Sequence, residues 1–414
     1  MNKSIWIFNH YAGTPLKSPW LRHYNIAKYL IKKGYDVKVF VASTNHITGD
    51  NLIQKGEGYL YDDSEGVPYI YIKTRAYGRS KVKRVLNMFD YYQGIMRCKK
   101  LFRQPDVVIG SSVHPLACVA ANKLAKKFGS KSIIEIRDLW PESIVAYGIL
   151  SKNNLLIKLL YSLEKRIYSK ADKIVFTMEG GSEYITSKKW NIEQGGPIKL
   201  NKISCINNGV DLAEFDFNQV NNTFYDKDLE SDNTFKVIYT GSIRRVNGLS
   251  TIVEVAKKLQ EIKESKVKIL IYGDGDEREE LITMCNSFGL SNIVFKGKVD
   301  KKFIPFILSK ADLNLMQVTQ TPIMKYGMSM NKTFEYLASG KPILVNFRAN
   351  YCLVHQYHCG ISEDIQSIDR YAELIHYFEL ISQDEYDTMC KNARNAAKQF
   401  DYKELAEKFI KLLE

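Results

Sequence analysis

The sequence predicts an α/β protein built from two doubly wound parallel-sheet domains. Three observations carry this prediction. Short β-branched and aromatic runs alternate with amphipathic helical stretches along nearly the whole chain, the alternation falls into two series of similar size, and a polar stretch separates the two. A chain of 414 residues with 45% hydrophobic and 25% charged residues can form two cores of ordinary composition.

The first series opens with a buried strand, Ser4–Phe8, and a loop containing Gly13, Pro15 and Pro19. A helix follows from about Trp20 to Lys33, closed by Gly34, which can take the left-handed conformation of a C-terminal cap. Asp36–Ala42, Asp106–Gly110, Ser132–Ile136 and Lys173–Thr177 read as strands, and a helix over Leu116–Phe128 stops at Gly129. The rhythm breaks between Ile203 and Phe217 and stays polar to Asn233. The second series has strands at Phe235–Tyr239, Lys268–Tyr272, Asn292–Lys296, Asp312–Met316 and Pro342–Asn346. Its helices lie near Gly248–Lys263, up to Phe288, and near Asn331–Ala338. Asp384–Glu414 reads as helical. The domains are expected at 1–200 and 201–395, with the C-terminal helix, about 396–414, packing back on the first.

Several classes are excluded. No run of about 18 apolar residues exists, so no transmembrane helix is expected. The apolar run Ile5–Phe8 is too short for a signal peptide, which places the chain in the cytoplasm. Seven irregularly spaced cysteines suit reduced thiols rather than a disulfide framework. The cluster Cys352, His355, His358 and Cys359 has a zinc-like composition, but adjacent His358 and Cys359 diverge on a helix, so a buried helix ending at Gly360 is expected instead.

Doubly wound sheets bind ligands beyond the carboxyl ends of their strands. After Phe235–Tyr239 comes Gly241, then Arg244 and Arg245, residues suited to a diphosphate at a helix N-terminus; a solvated basic loop is the alternative. After Lys268–Tyr272 comes Gly273-Asp274-Gly275, which does not continue as a dinucleotide fingerprint because Arg278 stands where the third glycine would be. The third loop, from Gly327, leads into a helix capped by Ser329 or Asn331, with free first-turn amides and Lys332 beside them. Glu335, one turn on, can accept two hydrogen bonds from a ribose diol.

Five segments occur together in the order seen in one family: Gly209-Val210-Asp211, Tyr239-Thr240-Gly241-Ser242, Tyr272-Gly273-Asp274-Gly275, Val294-Phe295-Lys296-Gly297, and Lys332 through Pro342. In the first half, Arg22-His23, Gly34-Tyr35-Asp36-Val37 and Ile136-Arg137-Asp138-Leu139-Trp140-Pro141 accompany them. The chain resembles family 4 glycosyltransferases of the GT-B fold, and within them the surface-polysaccharide and O-antigen subgroup that includes N-acetyl-fucosamine transferases. The resemblance implies two Rossmann-like domains facing a central cleft. It implies retaining transfer of a hexosyl or N-acetylhexosaminyl group from a nucleotide-diphosphate donor, a UDP-sugar, to a lipid-linked glycan of the O-antigen or capsule type, without cofactor or metal. The C-terminal domain would hold the nucleotide and the N-terminal domain the acceptor.

Carried over residue by residue, Glu335 matches the second glutamate of the family's E-x7-E motif, and Gly327 replaces the first. Backbone groups of Ser329, Met330 and Asn331 would cradle the diphosphate, with Gly241, Gly273 and Gly297 lining the nucleotide. Arg244 or Arg245 would stand in for the family's arginine and lysine, since Asn247 occupies the lysine position, and Lys332 would supplement them. Gly13 matches the glycine loop facing the diphosphate. Asp138 falls near the family's sugar-facing histidine; the alternative is a turn cap. His10 and His114, near strand ends, read as structural. The catalytic set is therefore Asp138, Arg245 and Lys332. The rival readings are a GT-B nucleotide-sugar epimerase and a non-enzymatic basic module for membrane or nucleic acid.

The net charge of +13 calls for an anionic partner. Between Lys73 and Arg103 the basic residues Lys81, Lys83, Arg84, Arg97, Lys99 and Lys100 face only Asp90, interleaved with Val85, Leu86, Met88, Phe89, Tyr92, Ile95 and Met96. This pattern predicts an amphipathic helix on the inner, anionic face of a membrane, near a lipid-linked acceptor, with Leu155–Tyr161 as a second such helix. The alternative is two core helices with solvated faces. No base-reading motif supports nucleic acid.

Overall fold

The computed structural model describes residues 3–112 and 114–414; Met1, Asn2 and Val113 lie outside the described residues. The chain divides into two compact units, Met1–Asn208 with Tyr402–Glu414, and Gly209–Asp401.

The first unit carries an eight-stranded sheet: β1 (Ser4–Phe8), β2 (Asp36–Ala42), β3 (Tyr59–Asp62), β4 (Tyr69–Ile72), β5 (Val107–Ser112), β6 (Lys131–Ile136), β7 (Lys173–Phe176) and β8 (Ile203–Cys205). The order is β3-β4-β2-β1-β5-β6-β7-β8, parallel except for β3 against β4. The central strands are buried nearly throughout because helices cover both faces; β1 is apolar after Ser4, and β6 carries buried Ser132 and Glu135 among its isoleucines. The β3–β4 hairpin is absent from the sequence reading; β3 is short and half exposed, so little periodicity marks it. β8 pairs with β7 and so belongs to this sheet, in the stretch where the sequence rhythm breaks. Buried Arg22 donates to Glu135 at 3.2 Å and to the carbonyl of Ile206 at 2.8 Å. Burial pushes the Glu135 carboxyl up, but Arg22 and His23 beside it hold it below the usual carboxylate range.

The second unit carries β9 (Phe235–Thr240), β10 (Val267–Tyr272), β11 (Ile293–Gly297), β12 (Leu313–Met316), β13 (Ile343–Val345) and β14 (Gly360–Ser362) in the all-parallel order β11-β10-β9-β12-β13-β14. The helical C-terminus is two helices, Gln383–Gln399 and Tyr402–Leu413, interrupted where Val210 bridges to Asp401. Tyr402, Leu405 and Phe409 of the last helix join Ile26 and Leu30 in the core of the first unit.

The segment around Cys352 departs from its expectation. Its helix spans only Leu353–Gln356, His358 turns to a φ of +52°, and Gly360 opens β14. Sheet pairing of β14 with β13 outcompetes continuation of the helix. All seven cysteines are free.

Candidate active site

In the second sheet the strand order reverses between β9 and β12, the place where such sheets take ligands. The loop after β9 begins at Gly241, whose φ of +147° suits glycine alone. A Cβ there would lie 3.1 Å from Lys332 Nζ and 3.2 Å from Tyr239 Oη. Gly241 thus leaves room for the lysine. The Lys332 amine sits 4.1 Å from the centre of the Tyr239 ring, is shut off from water, and has no hydrogen-bonding partner among the described residues. Burial pushes its pKa down to about 7, with Glu335 opposing the shift.

Lys332 belongs to the helix Asn331–Ser339. Neither Ser329 nor Asn331 is the cap: that position is Met330, whose side chain makes no capping hydrogen bond. Met328 and Met330 are drawn instead against the hydrophobic core, which sets where the helix begins. Tyr336, fully buried, accepts the N–H of Thr240 at 2.9 Å and so ties this helix to the end of β9. Glu335 is half-buried, 3.4 Å from Lys301 Nζ.

The arginines sit differently from expectation. The loop continues as a 3-10 turn, Arg245–Asn247, and the α-helix starts only at Ser250, so Arg244 and Arg245 are exposed loop residues rather than helix-terminal ones. Asn247 closes its own loop by donating to Ser242 O at 2.7 Å. Gly273 has a packing role: a Cβ on it would fall 1.7 Å from Gly241 O, so it lets the two loops touch. Gly297 ends β11 at φ +80°, its carbonyl accepting from Gly273 N at 2.8 Å, and Gly327 stands buried at φ +91° before the helix.

In the first unit the order reverses between β1 and β5. Gly13 packs on Ser18, and its carbonyl accepts from Tyr69 at 2.9 Å. Asp138, two residues past β6, is exposed, and its carboxylate makes no hydrogen bond among the described residues, which leaves the turn-cap alternative without a bond to support it. Asp138 lines one pocket with His114 and Trp140. His10 and His114 are joined by a hydrogen bond of 2.9 Å and are both buried, with Asn87 on the far side of His10. Sequence reasoning missed this trio because its members lie on three separate elements.

The basic helix spans Lys81–Cys98. Its apolar residues divide. Ile95, expected on the membrane side, is buried in the core together with Tyr91, whereas Val82, Val85 and Phe89 are 71%, 50% and 47% exposed. Arg84 donates to Tyr11 Oη at 3.2 Å. On the helix Leu155–Lys170, Leu155, Leu156 and Leu159 are exposed and Ile157 is buried. No helix among the described residues is long and apolar enough to cross a membrane.

Two Rossmann-like units with parallel sheets of this kind define the GT-B class of glycosyltransferase fold. Residues 23–214 match the family model Glycosyltransferase Family 4, and residues 221–400 match Glycosyl transferases group 1, so the chain is a glycosyltransferase family 4 domain followed by a group 1 domain. A curated relative, the probable glycosyltransferase WbjE of Pseudomonas aeruginosa, is 22% identical over 272 residues, 64% of each chain. Among solved structures, Anabaena HepE in complex with UDP is 14% identical with a TM-score of 0.67, covering 99% of each chain. WaaG, a glycosyltransferase involved in lipopolysaccharide biosynthesis, is 15% identical with a TM-score of 0.66, again over 99% of each chain. These two likenesses establish the fold alone.

Proposed function

We propose that this protein is a metal-independent, retaining glycosyltransferase that moves a hexosyl or N-acetylhexosaminyl group from a UDP-sugar to a lipid-linked glycan during surface-polysaccharide assembly, of the O-antigen or capsule type. The observation that carries the reading is the Lys332 amine, buried without a hydrogen-bonding partner among the described residues beside Gly241 and the uncapped start of a helix. A buried amine in an unfilled cationic recess is costly unless an anion completes it. A leaving diphosphate supplies that anion, and Lys332, exposed Arg245 or Arg244, and the free amides at Met330–Lys332 neutralise its charge. Glu335 takes the ribose hydroxyls. Asp138 stabilises the positive charge that develops on the reacting sugar.

The UDP complex of HepE and the lipopolysaccharide role of WaaG support the choice of nucleotide and pathway. The exposed apolar residues and lysines of Lys81–Cys98, with those of Leu155–Lys170, would hold the enzyme on the inner face of a membrane, where its acceptor is anchored. Titration calorimetry with UDP, together with donor consumption from a UDP-sugar panel in the presence of membrane extract, tests the reading. No binding of UDP and no donor consumption would end it.

A further inference from the structure

The trio Asn87, His10 and His114 has a proton arrangement that the hydrogen bonds determine. Asn87 Nδ2 donates to the backbone carbonyl of Arg75 at 2.6 Å, and a carbonyl can only accept. Asn87 Oδ1 is therefore the oxygen facing His10, and at 2.7 Å it accepts the proton of His10 Nε2. Neutral His10 then carries no proton on Nδ1, which accepts from His114 Nε2 at 2.9 Å. His114 in turn has a bare Nδ1 lone pair. That atom is buried and unpartnered among the described residues, and the His114 side chain does not cap the helix Pro115–Phe128 that it precedes. All three residues are at most 2% exposed.

We propose that His114 Nδ1 is a fixed hydrogen-bond acceptor for a sugar hydroxyl, oriented through His10 by the positioning residue Asn87. The inference rests on the sugar-transfer reading above. A buried acceptor left bare is costly, and its natural complement is an O–H donor. The pocket that His114 shares with Asp138, Trp140 and Ser112 has room for a group the size of a hydroxyl. Burial, with Arg84 adding to it, pushes the His114 pKa down to about 3, so the imidazole accepts the bond without taking the proton. It is a positioning acceptor and not a general base.

The wild-type protein, labelled with 15N in its histidines, provides the test, with UDP, a panel of UDP-glucose, UDP-galactose and their N-acetylamino counterparts, and methyl glycosides of the same sugars as probes. The His114 Nδ1 resonance should lie in the proton-free range from pH 5 to 8. It should move when a sugar-bearing probe binds and stay put with UDP alone. A response to the nucleotide sugars assigns the hydroxyl to the donor, and a response to the methyl glycosides assigns it to the acceptor. In His114→Phe, UDP affinity should be kept while the responding sugar loses at least about fivefold in affinity; Asn87→Leu should lose affinity for the same sugar. A resonance that ignores every sugar, as a site holding only an ordered water would, overturns the inference whether or not UDP binds. Absent UDP binding with a resonance that still answers a glycoside would remove the UDP-transfer reading and leave the sugar site standing.

Discussion

The amine of Lys332 lies over the ring of Tyr239, 4.1 Å from its centre, with no hydrogen-bonding partner among the described residues. The aromatic face offers part of the attraction a buried cation needs, and Gly241 gives it space. The remainder is missing until an anion arrives, so the site stores a cost in the unliganded state.

Removing that cost should stabilise the empty protein. Lys332 titrates near pH 7 folded and near 10.5 unfolded, so the unfolded chain binds the extra proton between these values. The penalty is fully present below pH 7 and fades as pH rises toward 10.5; at roughly 1.4 kcal/mol per unit it reaches about 3–5 kcal/mol. Lys332→Met should therefore raise the melting temperature at pH 6.5 and much less at pH 10, while losing UDP binding. A destabilised variant would contradict the burial of an unpaired amine.

Nucleotide affinity should depend on pH through the same group. A bound diphosphate favours the charged amine, so binding takes up a proton above pH 7. Affinity for UDP-glucose, whose diphosphate does not titrate in this range, should fall as pH rises from 7 to 9, and the slope should vanish in Lys332→Met. Calorimetry in buffers of differing ionisation enthalpy measures the proton uptake directly.

Glu335→Ala should weaken UDP binding at least tenfold, through the loss of two charge-assisted hydrogen bonds to ribose at about 1.5–3 kcal/mol each. Its pairing with Lys301, itself 46% exposed, adds little to stability, so the melting temperature of the unliganded variant should hardly move. Unchanged affinity would remove the ribose assignment.

Asp138→Asn should lower kcat by at least tenfold with UDP affinity unchanged, because the carboxylate is assigned to charge that forms only in the transition state. Near-normal turnover would leave Asp138 as an exposed loop residue.

Reversing Lys81 and Lys83 to glutamate should weaken binding to vesicles of anionic lipid at least tenfold at low salt, each basic residue being worth roughly 1 kcal/mol near such a surface. Arg84 is left intact because it holds Tyr11. UDP affinity should survive, since the proposed nucleotide site lies in the other unit. Wild-type protein that ignores such vesicles would require another partner for the charge.

Most of the central strands were legible in the sequence because parallel strands covered on both faces are rich in β-branched and aromatic residues, even where single polar residues such as Lys38 and Glu135 interrupt them. β1 and β2 match their sequence readings residue for residue, and β6 differs by one residue at its start. The hairpin β3–β4, the three-residue β8 and the early end of the helix at Gln356 were not legible. Each is short and rests on strand pairing rather than on periodicity: β4 pairs with β2, β8 with β7, β14, which follows the shortened helix, with β13, and β3 with its hairpin neighbour β4. The helix start at Met330 belongs with these, since core packing of two methionines overrode the polar residues that favour capping.

By itself the sequence determined the two βα series, the glycine turns at the strand ends, and the nearness of Lys332 and Glu335 on one helix, because these follow from local periodicity and from backbone conformations open only to glycine. Only the tertiary structure decided the chemical state of the groups. Lys332 is a surface-type residue until Tyr239 and Gly241 close around its amine, and no local signal encodes that loss of water. The same holds for His114, whose bare nitrogen depends on His10, 104 positions away, and through it on Asn87, 77 positions from His10. Desolvation and proton placement arise from atoms that the fold brings together, and those atoms are not neighbours along the chain.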